Sequence, residues 1–174
     1  VEQLRRIGTP DVVIHNAGID ATPNRAPNSL GQPAIVAVNL YAPYILAPRS
    51  PRPKRLIILS SSMHYDGAGN LDDIEWTDRR WNGTQAYCDS KLLVTTFAFA
   101  LARHWSDVSV HAVDPGWVPT RMGGPDATDD LVLGHRTQVW LATSGEPDAR
   151  RSGGYWFHQR RHDPAGLATD HDFQ

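Results

Sequence analysis

The chain has 174 residues, which is enough for a single domain with a hydrophobic core. Its net charge of −2 and its lack of a basic cluster argue against nucleic acid or an anionic membrane surface as a partner. One cysteine, Cys88, excludes an internal disulfide framework and fits a cytoplasmic protein, and no apolar run reaches the roughly 18 residues of a membrane span.

Four short apolar segments predict the strands of a sheet. In chain order they are residues 12–15, 56–59, 108–113 and 155–158. Runs of Val, Ile and Leu without polar alternation are typical of strands that are covered on both faces, as in a parallel sheet.

Helical patterns separate these strands, at residues 31–46, 84–104 and 129–143. We expect Thr84 to cap the second helix, and we expect the prolines at 48, 51 and 53 to end the first by about residue 47. The alternation of strand and helix predicts one α/β domain over residues 1–174. Residues 144–152 are predicted to form a loop, and the last twelve residues to pack loosely.

Polar or sharply turning residues follow the first three strands, in the sequences HNAG, SSS and DPGWVPT. Ligands of open α/β sheets bind beyond the carboxyl ends of the strands, so these segments predict a site at one edge. Tyr87 and Lys91 stand four residues apart and share one face of a helix, which suits a proton donor beside a cation. Each motif also has a plain structural interpretation, as a helix-surface residue or a turn.

Taken in order, these motifs resemble the short-chain dehydrogenase/reductase family from about residue 12 to residue 157. The residues that match its catalytic tetrad are Asn39, Ser61, Tyr87 and Lys91. Those that match its cofactor-binding turns are Asn16, Ala17, Gly18, Pro115, Gly116, Val118 and Thr120. The resemblance implies a partial Rossmann-like, doubly wound parallel sheet flanked by helices. It also implies hydride transfer between NADP (or NAD) and a small-molecule carbonyl or alcohol substrate.

The resemblance implies a role for each member of the tetrad. Tyr87 would exchange a proton with the substrate oxygen. Lys91 would lower the pKa of Tyr87 and hydrogen-bond the nicotinamide ribose, and Tyr87 would also contact the cofactor. Ser61 would polarise the substrate oxygen, and Asn39 would place a water that links Lys91 to solvent. Ser60 and Ser62 compete for the serine role, and the family register favours Ser61.

Other chemistries have weaker support. Ser61 and His64 suggest a hydrolase, but the chain has no G-x-S-x-G elbow. The eight histidines show no metal-ligand spacing, so no metal site is predicted. Cys88 has no partnered base and is interpreted as a packing residue.

The long segment between Ser61 and Tyr87 resembles the retinol-dehydrogenase- and ketoreductase-like branch of the family, which mostly prefers NADP. Four aromatic residues either line an apolar substrate pocket or pack in the core and a lid: His64, Tyr65, Trp81 and Trp117. The acidic residues at 72, 73 and 75 are interpreted as a solvated turn.

Residues 1–174 lack the family's glycine-rich turn, since DGAGN at 66–70 has no third glycine and precedes no helix start. We therefore expect the family's first three strands to lie before Val1, which makes the chain the C-terminal catalytic portion of the fold. Weak NADP(H) binding by these residues alone is expected, and a non-catalytic remnant or scaffold is the alternative. An apolar helix at 84–104 also predicts a homodimer.

Overall fold

The structure, a computed structural model, describes residue 3, residue 6 and residues 8–174. Strands in this part of the chain form a five-stranded sheet in the order β1-β2-β3-β4-β5. They are β1 (Val12–His15), β2 (Arg55–Leu59), β3 (Ser109–Asp114), β4 (Gly154–Phe157) and β5 (Arg160–His162). The first four are parallel, which confirms the predicted fold class, and β5 runs antiparallel to β4. The exposed β5 was not predicted, because its sequence of basic residues carries no strand pattern.

Helices connect and cover the strands. They are α1 (Ala34–Val36), α2 (Ala42–Arg49), α3 (Gly83–His104), α4 (Leu133–Thr143), α5 (Pro147–Arg150) and α6 (Gly166–Thr169). A π-helical turn, Ala37–Tyr41, joins α1 to α2, and a 3₁₀ helix, Ser62–Asp66, follows β2. The short α5 lies in the segment that was predicted to be a loop.

Alternate residues of β2 enter different cores. Leu56 and Ile58 belong to a cluster with buried residues of α3, whereas Ile57 and Leu59 pack with Leu141 of α4. Successive side chains of a strand point to opposite faces, so the sheet has a helical layer on each side. This arrangement confirms the doubly wound sheet.

The first helical segment continues past its predicted end. The predicted stop by about residue 47 is wrong, because α2 runs to Arg49 with Pro48 inside it. At the C-terminal end of the helix, Pro48 costs only the one hydrogen bond that another residue would donate from this position. The N–H of Ser50 still closes the last turn by donating to the carbonyl of Leu46. Pro43 has a larger effect, because it cannot donate to the carbonyl of Asn39 four residues earlier. The chain forms the π-helical turn there.

Two predicted helix starts are also wrong. Asn82, not Thr84, caps α3, because its Oδ1 accepts the N–H of Gln85 at 3.1 Å. The third helix begins at Leu133, four residues late, because Asp130 ends a loop and accepts the N–H groups of the next turn.

The C-terminal segment, residues 163–174, is packed, which contradicts the prediction that it is loose. Ala168 of α6 is fully buried, and Phe173 packs against the main core. The backbone N–H of Ala165 donates to His64 Nε2 at 2.9 Å. The segment carries few apolar residues, and of these Ala168 and Phe173 pack inward while Leu167 stays 39% exposed.

Acid is expected to destabilise the fold through His111. Burial lowers the pKa of His111 to about 4, and its ring accepts from Trp156 and bonds the carbonyl of Ala149. The unfolded chain binds a proton on His111 near pH 6.5, whereas the folded chain binds it only near pH 4. The stability that the neutral buried ring contributes is therefore complete above about pH 6.5. The free energy of unfolding falls by about 3 kcal/mol as the pH drops from about 6.5 to 4.

Urea unfolding of the protein between pH 7 and 4 measures this loss. His111→Asn should flatten the acid limb, whereas exposed His171→Gln should leave it unchanged. Equal limbs in all three proteins would assign the acid sensitivity to other groups.

Among the described residues, no helix has both the length and the apolar character needed to cross a bilayer.

Candidate active site

The first half of α3 crosses the edge of the sheet at which the parallel strands end. Tyr87 and Lys91 lie on the same face of α3, with Lys91 Nζ 5.5 Å from the centroid of the Tyr87 ring. Lys91 Nζ donates to the carbonyl of Leu59, the last residue of β2, at 3.1 Å. This contact fixes the lysine at the strand end where the sequence predicts a site.

The Tyr87 phenol is a buried acid. Its side chain is 8% exposed and lies beside Ser61. Burial raises the pKa of Tyr87 to about 12, against the lowering effect of the neighbouring Ser61 side chain. With this pKa the phenol is protonated at neutral pH. Burial has a larger effect on the pKa than the neighbouring lysine has.

Lys91 is buried as well, with 5% of its surface exposed. Burial lowers the pKa of Lys91 to about 8, and the negative charges of Asp114 and Asp20 oppose that shift. Its hydrogen bond within the described chain, to Leu59, uses one of its three N–H donors. Two donors therefore remain for other groups at this edge.

Asn39 ties the turn after β1 to the helical layer. Its Oδ1 accepts the N–H of Ile19 at 2.9 Å, and its Nδ2 donates to the carbonyl of the same residue at 3.0 Å and to Ser90 Oγ at 3.2 Å. A Cβ on Gly18 would lie 3.5 Å from Asn39 Oδ1 and 3.7 Å from Lys91 Nζ. The glycine of the predicted cofactor turn thus touches two tetrad residues.

The three serines after β2 have different environments. Ser60 is buried, and its Oγ lies 2.6 Å from Thr95 Oγ1, so it faces the core under α3. Ser62 is exposed. Ser61 caps the 3₁₀ helix, with its Oγ accepting the N–H of Met63 at 3.2 Å, and among the three serines it is the one whose side chain lowers the pKa of Tyr87. The geometry supports Ser61 as the serine of the site.

The loop after β3 is held by carboxylates. Gly116 has φ +82°, and a Cβ there would lie 2.5 Å from Asp129 Oδ2, so the position requires glycine. Asp129 Oδ2 also accepts the N–H of Trp117 at 2.6 Å, and Asp114 Oδ1 accepts the N–H of Gly116 at 2.9 Å. These contacts set the course of the chain at Pro115 and beyond.

Not every predicted site residue reaches the tetrad. Thr120 is exposed, and its Oγ1 accepts the N–H of Gly123 at 3.2 Å. Val118 packs on Gly134 instead, while Asn16 and Ala17 are exposed on the turn after β1. The structure therefore brings the tetrad and Gly18 together and leaves the other predicted cofactor residues on the two adjacent loops.

The four aromatic candidates divide into two pairs. His64 is fully buried, and Trp81 donates to the carbonyl of Thr22 and packs on another tryptophan, so both pack the interior. Tyr65 and Trp117 are about half exposed, at 50% and 53%, and stay candidates for substrate contact.

One acidic residue was misinterpreted, and another was missed. Asp73 is buried, accepts the N–H of Thr77 and pairs with Arg79, so the solvated-turn interpretation is wrong for it. Asp114, at the end of β3, is a buried carboxylate whose charge acts on Tyr87 and Lys91. An acidic residue directly after an apolar strand was the available signal.

Comparison with known proteins identifies the family. Short-chain dehydrogenase chry4 of Gibberella zeae is 41% identical over 177 residues, which cover 99% of this chain and 68% of that protein. The chain belongs to the short-chain dehydrogenase family. Rabbit (Oryctolagus cuniculus) carbonyl reductase [NADPH] 1 is 38% identical over 87 residues, or 47% of this chain and 31% of that protein. No family model matches the chain.

A solved structure supports the same assignment. An uncharacterised protein of Mycobacterium paratuberculosis superposes with a TM-score of 0.78 at 26% identity, covering 97% of this chain and 66% of that one. The similarity in fold thus extends over nearly all of this chain, and the chain spans about two thirds of the length of chry4 and of the mycobacterial protein. Members of this family are oxidoreductases, as their names state.

The residues at the sheet edge fit the nicotinamide end of a dinucleotide. The remaining N–H donors of Lys91 and the hydroxyl of Tyr87 suit ribose oxygens, and the backbone of Gly18 lies beside Lys91 Nζ with no side chain between them. Elsewhere, the described residues contain no group of three His, Cys, Asp or Glu side chains placed to hold a metal ion.

Proposed function

We propose that this short-chain dehydrogenase reduces the carbonyl group of a small molecule, or oxidises the corresponding alcohol, with Tyr87 as the proton donor or acceptor. The observation that carries the proposal is the placement of buried Tyr87 beside buried Lys91, whose Nζ is held at the end of β2, with the side chain of Ser61 close enough to lower the pKa of the phenol. A phenol that is protonated at neutral pH is the form that donates to a substrate oxygen.

The remaining roles follow from the contacts of each side chain. Ser61 donates to the substrate oxygen as negative charge develops there. Lys91 holds the ribose and its positive charge favours the phenolate form of Tyr87 during turnover. Asn39 positions the turn at Gly18 and orders a water that connects Lys91 with solvent. Pro43 supports the second role, because it has no N–H to donate to the Asn39 carbonyl as an α-helix would require.

The proposed cofactor is NADPH, and it would supply the hydride when bound. The name of the rabbit relative specifies NADPH, which favours the phosphorylated cofactor over NADH. Its nicotinamide would lie between Gly18, on the turn after β1, and the loop from Pro115 to Thr120. A cytoplasmic location, expected from the single cysteine, stays a prediction.

The test is cofactor oxidation by the full-length natural protein with a panel of ketones and aldehydes. We expect substrate-dependent loss of NADPH fluorescence, faster than with NADH at equal concentration. Titration of residues 1–174 with reduced nicotinamide mononucleotide, which has no adenosine half, tests the proposed nicotinamide contacts separately. Absence of turnover with every carbonyl, together with no nucleotide binding, would favour the scaffold alternative.

Adjacent serines provide a matched pair of variants. Ser61→Ala should lower kcat by about 10²-fold, the scale of one lost donor to a developing oxyanion, with little change in stability. Ser60→Ala should instead lower stability by about 0.5–1.5 kcal/mol, because it removes the buried hydrogen bond to Thr95 Oγ1, which keeps its bond to the carbonyl of Lys91, while kcat stays within a few-fold. Steady-state kinetics and urea unfolding of both variants measure the two effects, and the reverse assignment would make Ser60 the catalytic serine.

The homodimer through α3 stays a prediction, and the structure changes its basis. Among the large apolar side chains that are strongly exposed in the described chain, none belongs to α3. Residues 62–81 and the C-terminal segment cover this helix. The apolar surface beside α3 is on α2, where Tyr44 is 59% exposed and its ring lies 5.2 Å from that of Phe97. If this face self-associates, sedimentation velocity should show a dimer that Tyr44→Asp dissociates and Leu30→Asp, an exposed change elsewhere, does not.

A further inference from the structure

We infer that His64 is a positioning residue, which couples the docking of the C-terminal segment, residues 163–174, to the placement of Ser61. This inference rests on the proposed function, in which Ser61 acts on the substrate oxygen. The role of His64 would be indirect, because its ring is fully buried and has no access to substrate.

Both ring nitrogens of His64 have backbone partners. The N–H of Ala165 donates to Nε2 at 2.9 Å, so Nε2 is the unprotonated nitrogen. The proton of the neutral ring is therefore on Nδ1, which lies 2.8 Å from the carbonyl oxygen of Ser61 and donates to it. One imidazole thus links the C-terminal segment to the serine.

The Ser61 end of this link is held firmly. Its carbonyl also accepts the backbone N–H of His64 at 3.0 Å, and its Oγ accepts the N–H of Met63 at 3.2 Å. These bonds fix the turn from which the Ser61 hydroxyl reaches Tyr87. Without the Nδ1 donor, the Ser61 carbonyl loses the shortest of its hydrogen bonds, and the backbone N–H of His64 and the more distant Ser60 Oγ remain.

The ring itself packs against two tyrosines. The centroids of Tyr65 and Tyr155 lie 4.0 Å and 4.6 Å from that of His64. The Tyr65 hydroxyl donates to the carbonyl of Asp163, so a second bond joins the 3₁₀ helix to the C-terminal segment. The two bonds and the burial of Ala168 against α3 dock this segment beside the site.

Two amide substitutions separate the two hydrogen bonds of His64. The amide of His64→Asn occupies the place of Nδ1, so it keeps the donor to Ser61 and loses the acceptor for Ala165. The longer His64→Gln reaches the place of Nε2, so it keeps the acceptor for Ala165 and loses the donor to Ser61. If the coupling is correct, each variant lowers kcat by about 5–30-fold with little change in KM.

A double-mutant cycle with Ser61→Ala distinguishes positioning from general destabilisation. If His64 acts through Ser61, His64→Gln has no further effect on kcat when Ser61 is already alanine. If the two losses multiply, His64 does not act through Ser61 and the inference is overturned.

Amide hydrogen exchange decides the matter without any activity. In His64→Asn, exchange should accelerate at Ala165 and, several-fold, at Met63, whose N–H bonds Ser61 Oγ. Unchanged protection at Met63 would contradict the coupling even if the wild-type protein showed no turnover. Absence of Tyr87-dependent turnover with the exchange coupling intact would instead reject the proposed function alone.

Discussion

Tyr87→Phe is expected to lower kcat by about 10²-fold or more. The phenyl ring fills the same buried volume and removes only the hydroxyl beside Ser61, so the fold should be unaffected. General acid catalysis by a positioned side chain contributes this much to the rate. In the described part of the chain, no other hydroxyl of α3 is placed to replace that of Tyr87. The measurement is steady-state reduction of the best carbonyl substrate by NADPH.

A second phenol serves as the control for this variant. Tyr44→Phe removes a half-exposed hydroxyl from α2 and should leave kcat within a few-fold of the wild type. Near-normal turnover in Tyr87→Phe would remove Tyr87 from the mechanism. An equal loss in both variants would show that the effect is not specific to the site.

Gly83→Ala is expected to lower the free energy of unfolding by about 2 kcal/mol, which corresponds to roughly 5 °C in Tm. A Cβ on Gly83 would lie 2.1 Å from the carbonyl oxygen of Thr22, which also accepts the indole N–H of Trp81. Backbone cannot yield as a flexible side chain does, so the loop that contains Thr22 must move away from α3. Because Ile19 of the same loop is bonded to Asn39, kcat should fall as well.

Gly166→Ala is the matched control, since both glycines are the first residue of a helix. No atom lies within 4 Å of a Cβ at Gly166, so its effect should stay within about 0.5 kcal/mol. Thermal unfolding of the two variants tests the difference. Equal stability would mean that the loop at Thr22 adapts to α3 freely.

Sequence periodicity predicts most of this fold, because burial on both faces leaves a direct trace in residue type. The run of Ile and Leu in β2 and the long apolar pattern of α3 are examples. Exposed or weakly apolar elements leave no such trace, which is why β5 and α6 were not predicted. Helix ends depend on single side-chain hydrogen bonds, and the choice of Asn82 over Thr84 as a cap cannot be made from propensity alone.

The proximity of the proposed tetrad residues was predictable because their spacing follows from secondary structure. A Tyr and a Lys one turn apart on α3 must share a face, and residues after parallel strands must share an edge. The interpretations that fail depend on long-range contacts instead. Asp73 is buried because Arg79 folds back on it, and His64 is buried because Ala165, 101 residues later, covers it.

Environment-dependent acidity was also beyond sequence reasoning. The resemblance implies that Lys91 lowers the pKa of Tyr87, whereas burial raises that pKa to about 12 in the structure. Burial depends on tertiary packing around the phenol, which a local sequence pattern does not specify.

Transfer of the label from NADPH deuterated at the nicotinamide C4 position tests the central claim most directly. With the full-length natural protein and a reducible ketone, the product alcohol should carry deuterium on its carbinol carbon, and Tyr87→Phe should slow that transfer by about 10²-fold or more. Product without deuterium, or labelled product formed equally fast by Tyr87→Phe, would contradict a reductase in which Tyr87 supplies the proton.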